Sequence, residues 1–94
     1  MGGALGLVNE LGVIRVTIAY LARARECAGT VQEELELNPP ASLQQLFSRV
    51  MVLHPALTEI KQTLSPLVNG KWVSEETELK DGDRVALVPP VGGG

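Results

Sequence analysis

Cysteine, aromatic residues and positive charge are all scarce in this chain. Its 94 residues include one cysteine, so no internal disulfide can form and no cysteine pair offers metal-ligand spacing. A reducing compartment, the cytoplasm, is therefore the expectation. One Trp, one Tyr and one Phe leave the core to Leu, Val and Ile. Eight Lys and Arg against eleven Asp and Glu give a net charge of −3, which excludes the basic footprint of a nucleic-acid binder. No apolar run approaches the roughly 18 residues of a membrane span. Residues 1–12 lack the basic start and continuous apolar core of a signal peptide. The one histidine, His54, stands by itself before Pro55 at the end of an expected helix, where an exposed or capping role is the ordinary one. What is present is a hydrophobic fraction of 45%, which suits one domain with a single modest core.

Residues 1–12 carry four glycines among Leu5, Leu7, Val8 and Leu11 with no clear period. They read as a mobile extension, with a short extra strand as the alternative. From Val13 the pattern alternates. Ile14, Val16, Ile18 and Tyr20 share one face, while Arg15, Thr17, Ala19 and Leu21 share the other, as in a half-buried strand. Residues 22–28 suit a short helix closed by Gly29. Val31 to Leu37 alternates again and puts Gln32, Glu34 and Glu36 on an acidic outer face. Asn38-Pro39-Pro40 breaks the chain, and Ser42 with Gln45 three residues later forms a capping-box signature. Leu43, Leu46, Phe47, Val50 and Met51 then recur at helical spacing, marking the main helix. Pro55 either ends it or opens a further turn through Leu57, Ile60 and Leu64. Asn69-Gly70 suits the type I′ turn of a tight hairpin from Leu67 to Val73. Asp81-Gly82 is a second turn, and Arg84 to Val88 is the last strand. Strand-strand-helix-strand-strand in so short a chain predicts an α+β roll over residues 13–88.

No catalytic constellation stands in this pattern. Cys27, beside Gly29, reads as a small hydrophobe without an activating partner. Glu75, Glu76 and Glu78 read as a solvated loop, and Trp72 either anchors a partner or packs over the sheet edge. The tail, residues 89–94, is different in kind. Pro89 and Pro90 hold φ near one value and favour an extended spacer. Gly92, Gly93 and Gly94 follow Val91 with no side chains, so they fit channels closed to any other residue. Six residues reach about 20 Å, and they end in a carboxylate. An incidental frayed terminus is the plainer reading.

The tail Pro89-Pro90-Val91-Gly92-Gly93-Gly94, with Asp81-Gly82-Asp83 upstream, resembles the molybdopterin synthase small-subunit family. These are sulfur carriers of the ubiquitin-like β-grasp superfamily, and they end in Gly-Gly. Tyr20-Leu21-Ala22, Arg25-Glu26, Gly29, Leu43, Leu46 and Val68-Asn69 extend the resemblance over roughly residues 14 to 94. The resemblance implies a β-grasp fold with a mixed four- to five-stranded sheet, one main helix across it, and the last strand beside and parallel to the first. It also implies that Gly94 is adenylated with ATP by an activating enzyme. A sulfur donor, a persulfide, then converts the terminus to a thiocarboxylate. Residues 89–93 thread the tail into a molybdopterin synthase large subunit, which accepts the sulfur. No cofactor is bound by the carrier itself, and ATP belongs to the activating enzyme. Gly92 departs from the family, where Ala or Ser is frequent, and should make the tail more flexible.

Three alternatives stay open: a thiamine-type sulfur carrier, a ubiquitin-like protein modifier, and an interaction domain with an incidental tail. Neighbouring parallel first and last strands would put their apolar C-terminal ends together on the face opposite the core. Leu21, Ala86 and Val88, with Leu67 beside them, are therefore the expected docking patch at the root of the tail. The competing expectation is that residues 22–28 or 1–12 fold over it.

Overall fold

A computed structural model describes residues 12–89, and the expectations for residues 1–11 and 90–94 fall outside the described residues. The strand predicted from alternation is β1, Ile14–Tyr20, whose inward set Ile14, Val16, Ile18 and Tyr20 is buried. Helix α1, Arg23–Ala28, ends at Gly29, whose left-handed φ of 76° lets its amide close on the Arg25 carbonyl. Strand β2, Gln32–Leu37, then pairs antiparallel with β1, Ile14 opposite Leu37 and Ala19 opposite Gln32.

Strand β3, Ala41–Ser42, leads straight into helix α2, Leu43–Leu53. The capping box is present in both directions: the Gln45 amide donates to Ser42 Oγ at 3.2 Å, and the Ser42 amide donates to Gln45 Oε1 at 2.7 Å. The apolar stripe Leu43, Leu46, Phe47, Val50 and Met51 is buried against the sheet. Pro55 opens two short 3₁₀ turns, Pro55–Glu59 and Lys61–Thr63, and the first buries Leu57. Strand β4, Ser65–Val68, turns through Asn69 and Gly70 into β5, Lys71–Trp72. Both turn residues have positive φ, 52° and 85°, as a type I′ hairpin requires. Strand β6, Glu78–Leu79, pairs with β3 as a separate two-stranded ribbon, an element too short to show as alternation. Strand β7, Arg84–Val88, completes the main sheet.

The sheet order is β2-β1-β7-β4-β5, with β7 parallel to β1 and every other pair antiparallel. The turn before β7 fixes that parallel neighbour. The Arg15 amide donates to Asp81 Oδ1, the Gly82 amide to the Arg15 carbonyl, and the Thr17 amide to the Asp83 carbonyl. Gly82, at φ 91°, supplies the backbone bend that a side chain would resist. From the other side Asn69 grips β7: its Oδ1 accepts from the Arg84 amide at 3.0 Å, and its Nδ2 donates to Asp83 Oδ1 at 2.9 Å. Among the described residues the buried hydrophobics lie in one cluster between the sheet and α2, and no helix covers the opposite sheet face.

Candidate functional site: the helix-free sheet face and the root of the tail

Strand register converts the alternation into rows across the bare face. Gln32, Ala19, Ala86, Leu67 and Trp72 are successive register partners over all five strands. One row toward the start of β1 lie Glu34, Thr17 and Arg84, followed by Glu36 with Arg15. Toward the end of β7, Val88 stands opposite Ser65. One further step in the β1–β7 register brings Leu21 beside Val88, and the Leu21 amide donates to the Leu87 carbonyl at 3.4 Å. The face is therefore charged at one end and apolar at the other, and the apolar end is where β7 runs into the tail.

The structure thus brings together the four residues expected at the docking patch. Leu21 is 43% exposed, while Leu67, Ala86 and Val88 are half-buried by their strand neighbours. Helix α1 does not cover them; its Ala24 is buried in the core and its contacts run to β1 and the first 3₁₀ turn. Trp72, left between two readings by the sequence, belongs to this face. It is 63% exposed beside Leu67 and extends the row to the sheet edge. Its position was available in the sequence, because a two-residue Asn69-Gly70 turn sets Val68 opposite Lys71 and Leu67 opposite Trp72. Pro89, placed by the sequence reading at the start of the extended tail, is buried. Pro90, Val91, Gly92, Gly93 and Gly94 lie outside the described residues.

On the core side of the same strand ends lies a polar cluster that the sequence reading missed. The Tyr20 hydroxyl donates to Glu33 Oε2 at 2.6 Å, and His54 Nε2 meets the same oxygen at 2.6 Å. The Tyr20 and His54 rings meet edge to face, with centroids 5.6 Å apart. Burial pushes the Glu33 carboxyl up, but the hydrogen bonds from Tyr20 and His54 and the His54 charge outweigh it and leave it below the usual carboxylate range. Burial first, then the Glu33 bond and charge, push the Tyr20 phenol far above its ordinary value. Of the two roles expected of His54 the capping one holds: it is the C-cap of α2, its amide donating to the Val50 carbonyl, and its side chain, only 18% exposed, also ties the helix end to β2. Cys27 packs partly buried against the core, as expected of a small hydrophobe. Glu75, Glu76 and Glu78 are exposed. Among the described residues no group of His, Cys, Asp and Glu could hold a metal ion, and no helix is long and apolar enough to cross a membrane.

The ThiS family description matches residues 18–94. The chain belongs to the ThiS family. Over 83 residues it is 34% identical to the molybdopterin synthase sulfur carrier subunit of Chlamydomonas reinhardtii, covering 86% of this chain and 100% of that one. A solved protein from Pyrococcus furiosus, assigned as molybdopterin converting factor subunit 1, superposes with a TM-score of 0.77 at 35% identity. The match spans 83% of this chain and 99% of that one. A further fold match is a chain from the complex of subunits 1 and 2 of the molybdopterin-converting factor from Helicobacter pylori. Its TM-score is 0.62 at 24% identity, over 86% of this chain and all of that one. These matches agree with the ubiquitin-like β-grasp architecture expected from the resemblance.

Proposed function

We propose that this ThiS-family chain is the sulfur carrier subunit of a molybdopterin synthase, loaded at the carboxyl group of Gly94. The observation that carries the reading is the course of β7. Its outward residues Ala86 and Val88 lie on the bare apolar face, and the same strand runs on into the glycine tail. A carrier needs a surface that a partner can grip and a terminus that the partner can draw in. Here the two adjoin.

The chemistry follows from the carboxylate. It is a poor electrophile, because its charge repels nucleophiles and oxide is a bad leaving group. ATP in an activating enzyme converts it to an acyl-adenylate and releases pyrophosphate. The terminal sulfur of a donor persulfide then attacks the carbonyl carbon and AMP departs. A thiol next attacks the inner sulfur, the S–S bond breaks, and Gly94 is left as a thiocarboxylate. In the large subunit of the synthase this sulfur passes to the pterin precursor. Beyond the buried Pro89, residues 90–93 form the stem, and its ordering costs about 1–2 kcal/mol per residue; Pro90 reduces that cost at its first position. The face Leu21, Leu67, Trp72, Ala86 and Val88 offsets it by burying apolar surface against the partner.

One set of variants tests both halves. With ATP, a persulfide donor and the activating enzyme, mass spectrometry should show exchange of one oxygen for sulfur on the intact chain. Deleting Gly94 should abolish that exchange without changing the melting temperature; loading that persisted would sink the carrier reading. Trp72→Ala and Val88→Asp should each weaken calorimetric binding to the large subunit by about 30-fold, the equivalent of about 2 kcal/mol for a buried aromatic or desolvated anchor. Unaltered affinity would put the docking surface elsewhere, and a collapsed melting curve would assign Val88 to the core.

A further inference from the structure

A sheet of this order has two edges, and β5 at one of them is only two residues long. The other edge, β2, is six residues long and has no strand beyond it among the described residues. The Tyr20 amide donates to the Val31 carbonyl at 2.8 Å, which sets the phase of the antiparallel ladder. Ile18 with Glu33 and Val16 with Leu35 are then the hydrogen-bonded pairs. The amides and carbonyls of Gln32, Glu34 and Glu36 point away from β1. Two of these carbonyls are met by side chains: Thr30 Oγ1 donates to that of Gln32 at 3.1 Å, and Arg49 Nη1 to that of Glu36 at 3.3 Å. Between them no bond reaches the outward amide and carbonyl of Glu34 among the described residues, and its exposed carboxylate has only Arg15 nearby, whose guanidinium is already bonded to Glu36 at 2.9 Å.

Helix α2 forms the other wall of this edge. It runs antiparallel to β2, with Arg49 reaching Glu36 and His54 reaching Glu33. Leu53, one turn after Arg49 on the same helix face, is 45% exposed, and Val31 at the head of β2 is 58% exposed. Both are large apolar side chains flanking the outer edge of β2.

We propose that the β2 edge is a second docking site. It takes an extended segment of a partner protein that adds to the sheet as a strand and sets a lysine or arginine opposite Glu34. Strand period dictates the rest of the pattern. The residue opposite Glu34 lies on the charged outer face; its two neighbours stand opposite Leu35 and Glu33, whose carboxylate is already bonded to Tyr20 and His54, and turn toward Leu53 and Val31. The segment therefore reads apolar, basic, apolar. Charge selects this occupant over two others. Residues 1–11 contain no lysine or arginine side chain to set opposite Glu34. A second copy paired symmetrically through this edge would set Glu34 opposite Gln32, Glu34 or Glu36 according to register, never opposite a cation, and like charges directly opposite are destabilising. Four strand spacings, about 19 Å, separate β2 from β5, so a strand added here leaves the Trp72 face free.

The test is an amide-resolved NMR titration of the full chain with the blocked peptide acetyl-Thr-Val-Lys-Val-Thr-amide and its glutamate counterpart. The lysine peptide should shift the amides of Gln32, Glu34 and Glu36 and slow hydrogen exchange at Glu34 at least tenfold; the glutamate peptide should do neither. Glu34→Lys, a change at an exposed position, should reverse that preference, and Leu53→Asp should weaken lysine-peptide binding at least fivefold with an unchanged melting curve. Shifts confined to Ala19, Ala86 and Trp72, no shifts at millimolar peptide, or a charge preference untouched by Glu34→Lys would each overturn the proposal.

Discussion

Replacing Tyr20 by phenylalanine removes one oxygen and leaves the packing of a buried ring in place. That oxygen donates to Glu33 Oε2 at 2.6 Å, in a cluster that pins the end of β1 to β2 and to the end of α2. A hydrogen bond to a charged group contributes about 1.5–3 kcal/mol. Glu33 keeps His54 as a second partner and its side chain is 27% exposed, so the loss should fall at the low end, about 1–2 kcal/mol. For a domain of this size each kcal/mol moves the melting temperature by about 4–8 °C. The pH dependence is the sharper check. The native environment holds Glu33 below the usual carboxylate range, so its contribution is fully present above the unfolded value, near 4.3. It is lost as pH falls through the lower folded value. The gap between wild type and Tyr20→Phe should therefore shrink to about half or less in acid, because a neutral hydrogen bond is roughly half as strong as a charged one. Thermal melts from pH 7 to pH 3 would measure it. A loss under about 0.3 kcal/mol at pH 7, or a gap unchanged across that range, would refute the reasoning.

Two further substitutions probe the local devices that set the frame. Ser42→Ala removes one arm of the capping box and should cost about 1 kcal/mol in a denaturant titration; a neutral result would mean the Gln45 arm alone suffices. Ala22 sits at φ 49° and ψ −124°, a backbone region that disfavours any Cβ, with a penalty on the order of 1–3 kcal/mol. Ala22→Gly should therefore raise the melting temperature despite glycine's greater unfolded freedom, and a lower one would show that the strain is already relieved.

The larger elements were legible because each repeats its signal. Seven residues of β-branched alternation announced β1, and five apolar positions at helical spacing behind Ser42 and Gln45 announced α2. Strands β3 and β6 have two residues each, which is below any period, so nothing in the sequence could reveal their pairing. That β7 lies parallel to β1 came from the family resemblance. The physical reason is now visible in Asp81, Gly82 and Asp83, whose hydrogen bonds to Arg15 and Thr17 lay the incoming strand alongside β1.

The site divides the same way. Leu21, Ala86 and Val88 could be placed from alternation once the strands were taken as neighbours, since strand period fixes which face each side chain takes. Trp72 needed one more step, and its signal was local: a two-residue turn allows only one register. The Tyr20–Glu33–His54 cluster had no local signal at all. Glu33 occupies an inward position among Val31, Leu35 and Leu37, where a carboxylate is costly unless it is hydrogen-bonded. Its partners come from β1 and from the end of α2, twenty-one residues onward. A buried-phase glutamate in an alternating strand is thus itself the clue. It demands donors, and in a chain this short of histidine and tyrosine, His54 and Tyr20 were among the few residues able to supply them.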